Sequence, residues 1–593
     1  MKLKFYLFLI FSFLYSSCLF SQDSNLKIVK QAEENRIKVI ERISPSVVCV
    51  FGMIINGGGS GVLFKNEGYA ITNFHVIQSV GLKGQGGLSD GKLYPLDVLG
   101  IDPGGDLSII KLSGKESFKE AALGKSEGIA VGDFVMALGN PFLLAEDFTP
   151  SITFGVVSGV KRYQEGEGRI LVYGNCIQID SSINPGNSGG PLFSDDGKVL
   201  GINGRGSFEE RGRVNVGLGY AISMEQILNF IPDLLATKFC MHATVDAVFN
   251  DQPDGVNCSK INMASDLANA GMQLGDKLVE FDSVAILTAN QFTSILSTYP
   301  AGWPVNIKFK NSSNEIKSVW IRLKALPYNL KSEPEEVKKV DPKKDKKDEK
   351  KDEENNKKPN SEEVNWGNPG EIRDKVMNQF EALRLFQEFQ KLANPSHQKF
   401  KKIKYEGKYY IDNKENEKFV FTYINKEKQE LQITGMDLKT ASYTIDCYNN
   451  KLISEANENK NEDFRLIFEK ISFLYQYSVM LNAKKTDYSD MKLVGGDKAN
   501  SRRAYKLKLF ENGKNYWNLW LNIVDDEIRF NTQLLKLSYS QDNFESDYGE
   551  TAMLYKNFGD CSFPTEINLV YGLIEKQIRQ IKIEKISMEK ENE

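Results

Sequence analysis

The sequence predicts a multi-domain, mainly β protein, and three observations predict it. At 593 residues the chain is too long for one core and, at about 150 residues per domain, asks for about four units. From Val47 to about Ile231, short stretches rich in β-branched residues ("SVVCVFG", "SGVLF", "GYAIT", "DLSIIKL") alternate with glycine-rich turns, the pattern of a double barrel or sandwich. Between Lys331 and Glu363 nearly every residue is Lys, Asp, Glu, Asn or Pro. A stretch so poor in apolar side chains cannot offset its ordering entropy, and it separates the chain into an earlier and a later part.

The elements follow in order. Lys2 and Lys4 precede the apolar run "FYLFLIFSFLY", which ends in small residues, so residues 1–21 read as a secretory signal peptide cleaved after Ser21. The expected location is therefore periplasmic or extracellular. Cys18 fits a lipoprotein box poorly, because leucine sits four residues before it rather than three, and lipid anchoring is the minor reading. In residues 22–43, Leu26, Ile28, Val29, Ile37, Ile40 and Ile43 recur at broadly helical spacing among charges, and "SP" at 44 and 45 stops the run. This is an amphipathic helix suited to docking on the next domain or on another subunit.

Residues 44–236 form the β-rich unit. Residues 239–328 form a second one, with strands "GVNCSKI", "KLVEFDSVAI" and "PVNIKFK" and short helices around "SDLANAG" and "ANQFTSILSTY". Residues 329–363 are the charged, disordered linker, a spacer rather than a specific binding segment. In residues 364–593, Ile372, Val376, Phe380, Leu383, Phe386, Phe389 and Leu392 mark one helix face. The strands "EGKYYID", "KFVFTYI", "ASYTIDCY", "AYKLKLF", "NLWLNIV" and "EINLVYG" follow, with a hairpin turn at Asn512-Gly513. A helix with a curved antiparallel sheet is expected there.

Composition removes some function classes. The 41% hydrophobic and 11% aromatic content is ordinary, and a net charge of -4 gives no reason to expect nucleic acid. The seven cysteines show no CxxC spacing and the chain has only three histidines, which argues against a zinc site. Cys447 with Cys561 as a disulfide, and isolated buried thiols, both remain open.

The chemistry centres on "SSINPGNSGGPLF", Ser181 to Phe193. Alone, GNSGG is a glycine-rich turn. A nucleophilic serine needs a base for its proton, a carboxylate to orient that base and N–H donors for the oxyanion. Upstream, "GYAITNFHVI" puts His75 at the end of a strand and "DPGGDLSIIKL" puts Asp106 just before another. No other histidine precedes Ser188. Asp102 is a nearby rival for the acid role.

The ordered segments "TNFHVI", "DLSIIKL", "ALGNPF", "GVVSGV", "IQIDSSINPGNSGGPLF" and "VLGING" resemble those of the HtrA (Deg) family of trypsin-like serine proteases across most of this unit. The resemblance implies a chymotrypsin-like double β-barrel. It implies His75 as general base and then acid, Asp106 as its orienting partner, Ser188 as nucleophile, and an oxyanion hole at Gly186, Asn187 and Ser188. Peptide hydrolysis of this type needs no metal or other cofactor. Ser182 and Ile183 fall at the base of the substrate pocket, and neither is acidic, so a small or medium aliphatic residue is expected before the cut. Ile202, Asn203 and Gly204 would pair with an extended, unfolded or misfolded polypeptide.

Between its first two strands the chain has only "FGMIINGGGSGV", where family members often carry a long inhibitory loop. Activation loops would correspond to "GNPFLLAEDFTPSITFG", "RYQEGEGRILVYG" and "GRGSFEERGRVNVGLGY", with Arg205, Arg211 and Arg213 as ordering candidates or solvent-facing charges. Ala270, Gly271, Gly275 and Asp276 carry a resemblance to PDZ domains, which implies capture of C-terminal peptides near Cys240 to Ala243. A purely structural role for that domain stands beside it. The last domain looks like the LolA/LppX class of half-barrel carriers, which implies lipid or acylated peptide as ligand. A family trimer is a further implication. The alternative function is a chaperone, scaffold or lipoprotein-binding protein with a dormant protease cleft.

Overall fold

The structure is a computed structural model. It describes residues 26–326, apart from 54–57, 141–146, 165–172, 184–185 and 209–214, and residues 368–590, apart from short connecting segments. The signal peptide, the charged linker, Arg211, Arg213, Cys447 and the Asn512-Gly513 turn lie outside the described residues. The protein is mainly β and multi-domain, as the sequence predicts.

Residues 26–43 form helix α1. Leu26, Ile28, Val29 and Ile37 are exposed, and docking is confined to the last turns, where Ile43 is buried and Arg42 donates to the carbonyl of Asp196. Strands β1 (Val47–Gly52), β2 (Gly58–Lys65), β3 (Tyr69–Thr72), β4 (Lys83–Leu88), β5 (Lys92–Asp102) and β6 (Leu107–Leu112) close a barrel in the order β1-β2-β3-β6-β5-β4. Val47, Val50, Val62, Leu63, Ile71 and Ile110 on its strands are each essentially inaccessible. The short helix α2 (Phe74–Val80) follows β3.

A second set of strands comprises β7 (Ala122–Leu123), β8 (Phe134–Gly139), β9 (Ser151–Gln164), β10 (Tyr173–Ile179), β11 (Pro191–Ser194), β12 (Lys198–Phe208) and β13 (Asn215–Ser223). Their order is β11-β8-β9-β10-β13-β12-β7, and β11 also pairs with β12. The strands β8 to β13 therefore return on themselves as a second ring, with β7 added in parallel to β12. Val135, Ala137, Val157, Ile177, Ile179, Leu192 and Ala221 fill it. Alternating β-branched residues and glycine turns made this double-barrel region legible in the sequence.

The chain divides into two compact units. The first holds residues up to 98, 110–160 and 176–224; the second holds 99–109, 161–175 and everything from Glu225. In the second unit, helix α3 (Met224–Ala236) precedes a sheet whose strands run Ala247–Gln252, Gly255–Ile261, Lys277–Phe281, Pro304–Lys310 and Ile316–Arg322 in that order. Two helices accompany it, α4 (Asp266–Asn269) and α5 (Ala289–Leu296), capped by the side chains of Ser265 and Thr288. Trp303 is wholly buried, with Tyr299 edge-on to it at 5.8 Å and Phe281 edge-on to Tyr299 at 5.4 Å. The segment expected to receive a terminal carboxylate differs from that expectation. The N–H of Cys240 donates to Ile101 and that of Ala243 to Tyr299, so neither is directed to a ligand.

The later part of this unit is a sheet of twelve strands between Phe400 and Lys590, antiparallel throughout the described pairings, with helices α6 (Lys375–Ala393) and α7 (Phe464–Asn482). Burial alternates strictly along Asp490–Ala499, the period of a sheet with one covered face. The buried face of α6 differs from the expected stripe. Phe380 is exposed, whereas Asn378, Glu381, Ala382, Leu385, Phe386 and Phe389 are buried. The polar members have specific partners: Asn378 Oδ1 accepts from the N–H of Leu493 at 3.0 Å, and Arg384 pairs with Glu381 and Glu388. Among the described residues no helix is long and apolar enough to cross a membrane.

Candidate active site

The turn that carries Ser188 is built from main-chain bonds and one serine brace. Ser60 Oγ, on β2, donates to the carbonyl of Gly186 at 2.6 Å and accepts from the N–H of Asn140 at 3.0 Å. The carbonyl of Ser188 accepts from Ser60 N–H at 2.8 Å, and that of Asn187 accepts from Gly190 N–H at 3.0 Å. Gly189 N–H donates to Asn203 at 2.8 Å. The carbonyls of 186, 187 and 188 are thus all engaged. The N–H groups of Gly186, Asn187 and Ser188 have no partner among the described residues. Gly186 takes φ 105°, a left-handed value that glycine adopts without a side-chain penalty. The result is a bent loop with consecutive amides available to an anion.

His75 stands on α2 rather than at a strand end. Phe74, Val76, Ile77 and Val80 bury that helix, which leaves His75 half-buried on its accessible side. The same strand, β2, brings α2 and the Ser188 turn together. A Cβ on Gly59 would lie 2.7 Å from Val76 and 2.8 Å from the carbonyl of Ser188, so only hydrogen fits between them. Gly189, at φ 82°, packs against Ser60, Thr72 and the amide of Asn73, the residue that starts α2. His75 and Ser188 are therefore both anchored to the Ser60–Asn73 frame. Ser60, Thr72 and Asn140 were not singled out from the sequence. Ser60 and Thr72 are polar residues within strands, in "GGSGV" and "YAIT", and Asn140 follows β8, so no periodic pattern marks them.

Ser188 is half-buried, and its hydroxyl donates to the carbonyl of Gly204 at 3.3 Å. That carbonyl is free for it because β12 bulges between Asn203 and Arg205 where it pairs with β13. The other predicted pocket positions spread over different environments. Ser182 is exposed, and its carbonyl accepts from Thr153 Oγ1 at 3.2 Å and from Asn187 Nδ2 at 3.5 Å. Ile183 belongs to the core of the second ring, and Ile202 is likewise inaccessible. Asn203 is buried and donates from Nδ2 to Pro191 at 2.9 Å.

The two candidate carboxylates are separated by partner. Asp106, fully buried, stands at φ 57° immediately before β6, and its Oδ2 accepts from the Tyr173 hydroxyl at 2.5 Å. Asp102, also fully buried, faces His242, whose Nε2 lies 2.8 and 3.0 Å from its two oxygens. The rival acid thus has an imidazole of its own, which the sequence did not reveal.

Residues 59–202 match the family model described as a trypsin-like peptidase domain. The chain carries an HtrA-like, trypsin-type peptidase domain. It is 39% identical over 169 residues to a probable periplasmic serine endoprotease, DegP-like, of Chlamydia pneumoniae, a match covering 28% of this chain and 31% of that protein. It is 29% identical over 290 residues to a probable serine protease do-like of Buchnera aphidicola, covering 46% of this chain and 58% of that protein. With the serine protease PepD of Mycobacterium tuberculosis the identity is 28% over 284 residues, covering 45% and 56%. The matched region spans less than two thirds of each of these relatives. Among solved structures, the HtrA-type protease AlgW with a tripeptide matches 50% of this chain and 98% of its own, at 24% identity and a TM-score of 0.42. The glycines at 59, 186 and 189 and the serine brace at 60 lie in or beside the two barrels of this peptidase domain.

Proposed function

We propose that this chain is an exported serine endopeptidase that hydrolyses peptide bonds in unfolded or misfolded polypeptides. Ser188 is the nucleophile, His75 the general base and then acid, and Asp106 the carboxylate that orients His75. The Ser188 oxygen attacks the scissile carbonyl, its proton passes to His75, and the oxyanion is received by the N–H groups of Gly186 and Ser188. The amine leaves with the proton from His75, and water then releases the acyl group by the same steps in reverse order. The observation that carries this reading is the Ser188 turn itself, with its carbonyls occupied and its amides available beside a helix that bears a half-buried histidine.

Export is supported by the amino-terminal sequence and by the periplasmic naming of a relative. Ser182 and Gly204 are the accessible or main-chain parts of the substrate site, and Ile183 and Ile202 support it from the core. A polypeptide could add beside the exposed strand Ala247–Gln252, in the region read as PDZ-like, and assist substrate binding.

The test is to incubate the chain and its Ser188→Ala variant with an unfolded protein and map the cuts by mass spectrometry. Cleavage by the wild type alone, after small or medium aliphatic residues, is expected, with at least a thousandfold loss in the variant. No cleavage by either, with client aggregation suppressed, would assign the chain to polypeptide holding instead.

A further inference from the structure

The turn Asp102–Asp106, "DPGGD", is gripped by a histidine that the proposed reaction does not use. His242 Nε2 bonds to the Asp102 carboxylate, and its Nδ1 lies 2.8 Å from the carbonyl of Ser297, just beyond α5. Each ring nitrogen therefore has an acceptor, the arrangement that suits imidazolium. Phe230 of α3 covers the ring, with centroids 4.5 Å apart. The groups that face the imidazole are Asp102 from the turn, Gln226 and Phe230 from α3, and the Ser297 carbonyl. The Cys240 thiol, kept protonated by burial, senses Asp102 as well.

Asp102 passes this grip on to the turn. Its Oδ1 accepts from Gly105 N–H at 3.0 Å. A Cβ on Gly105 would lie 2.4 Å from Asp102 Oδ2 and 2.4 Å from Gln226 Nε2, and one on Gly104 would lie 2.7 Å from His242 Cδ2. The two glycines of the turn are thus explained by the imidazole and amide lying against them. The next residue is Asp106, in its left-handed conformation. A second arm reaches the same residue: Tyr173 holds its Oδ2, and Asn175, two residues on, donates from N–H to Ser294 Oγ on α5 at 2.8 Å.

We infer that His242 is a positioning residue for the Asp106 carboxylate, acting through Asp102 and the Gly105 amide to fix the backbone that aims it. This inference rests on the proteolytic reading, in which Asp106 orients His75. A misaimed carboxylate leaves His75 a weaker base, so the effect falls on the chemical step rather than on substrate binding.

The experiment uses the full chain and a quenched fluorescent polypeptide. His242→Ala is expected to lower kcat by about 10- to 100-fold with KM within about twofold of the wild type. The acid limb of its kcat/KM profile should move to lower pH. His242→Gln, which retains a donor toward Asp102, should recover most of kcat. Hydrogen exchange over residues 99–107 should quicken in His242→Ala and stay near the wild-type rate in His242→Gln. Unchanged kcat and acid limb, a change in KM alone, or unchanged exchange in His242→Ala would overturn the inference. If the wild type cuts nothing, the proteolytic reading fails on its own, and the exchange comparison still decides whether His242 holds the turn.

Discussion

At the scale of single residues, the Ser188 turn depends on places where a hydrogen atom is the largest group that fits. Gly189 shows this twice, through its φ of 82° and through a would-be Cβ only 2.2 Å from the Ser60 carbonyl. Relief would require the main chain of β2 to move, not the end of a flexible side chain. Gly189→Ala should therefore cost about 2 kcal/mol or more of stability and remove turnover. The check is the urea midpoint with a cleavage assay alongside; a wild-type midpoint would show that the frame is softer than its contacts imply. Ser188, Asp106 and His75 could be proposed from the sequence because a nucleophile, base and acid must occur together. The brace from Ser60 and the His242 partner of Asp102 were not, because a buried serine or histidine carries no periodic signal and its partner is far away in sequence.

At the scale of elements, α3 meets the strand Asp490–Ala499 through a carboxyl group. Burial pushes Asp233 up to about 8; the Gly496 amide draws it down somewhat, and the nearby Asp497 charge raises it further. Its Oδ2 has no hydrogen-bond partner among the described residues. The native chain thus keeps a proton that the unfolded chain, with an ordinary aspartate near 3.9, releases. Stability from this group is complete below about pH 4 and is lost as pH rises toward the folded value. Asp233→Asn removes that decline, so its urea midpoint should match the wild type near pH 4 and exceed it increasingly up to pH 8; parallel curves would show that the carboxyl is ionised in the folded state. Elements with strict alternation or glycine-bounded strands were readable from sequence. Helix α6 was less so, since Asn378 and Glu381 are buried with partners while Phe380 is exposed, and α7 was missed because its apolar residues leave too few polar positions to mark a face.

At the scale of the whole molecule, the mainly β, multi-domain character was legible in the sequence because each change of pattern is also a change of physics. Short β-branched runs close barrels, a run of charges cannot form a core, and a later set of period-two strands builds another sheet. Long-range order within the twelve-stranded sheet was beyond reach, since Phe400–Ile411 pairs with the chain's last strand, Arg579–Lys590, and no local signal encodes that choice. The central claim, that Ser188 is an activated nucleophile, is tested most directly by the intact mass of the chain after exposure to a fluorophosphonate. The Ser188 oxygen would displace fluoride at phosphorus while His75 takes its proton. One adduct per chain, mapped to Ser188 and lost in His75→Ala, is the predicted result; no adduct, or equal labelling in both proteins, would contradict it.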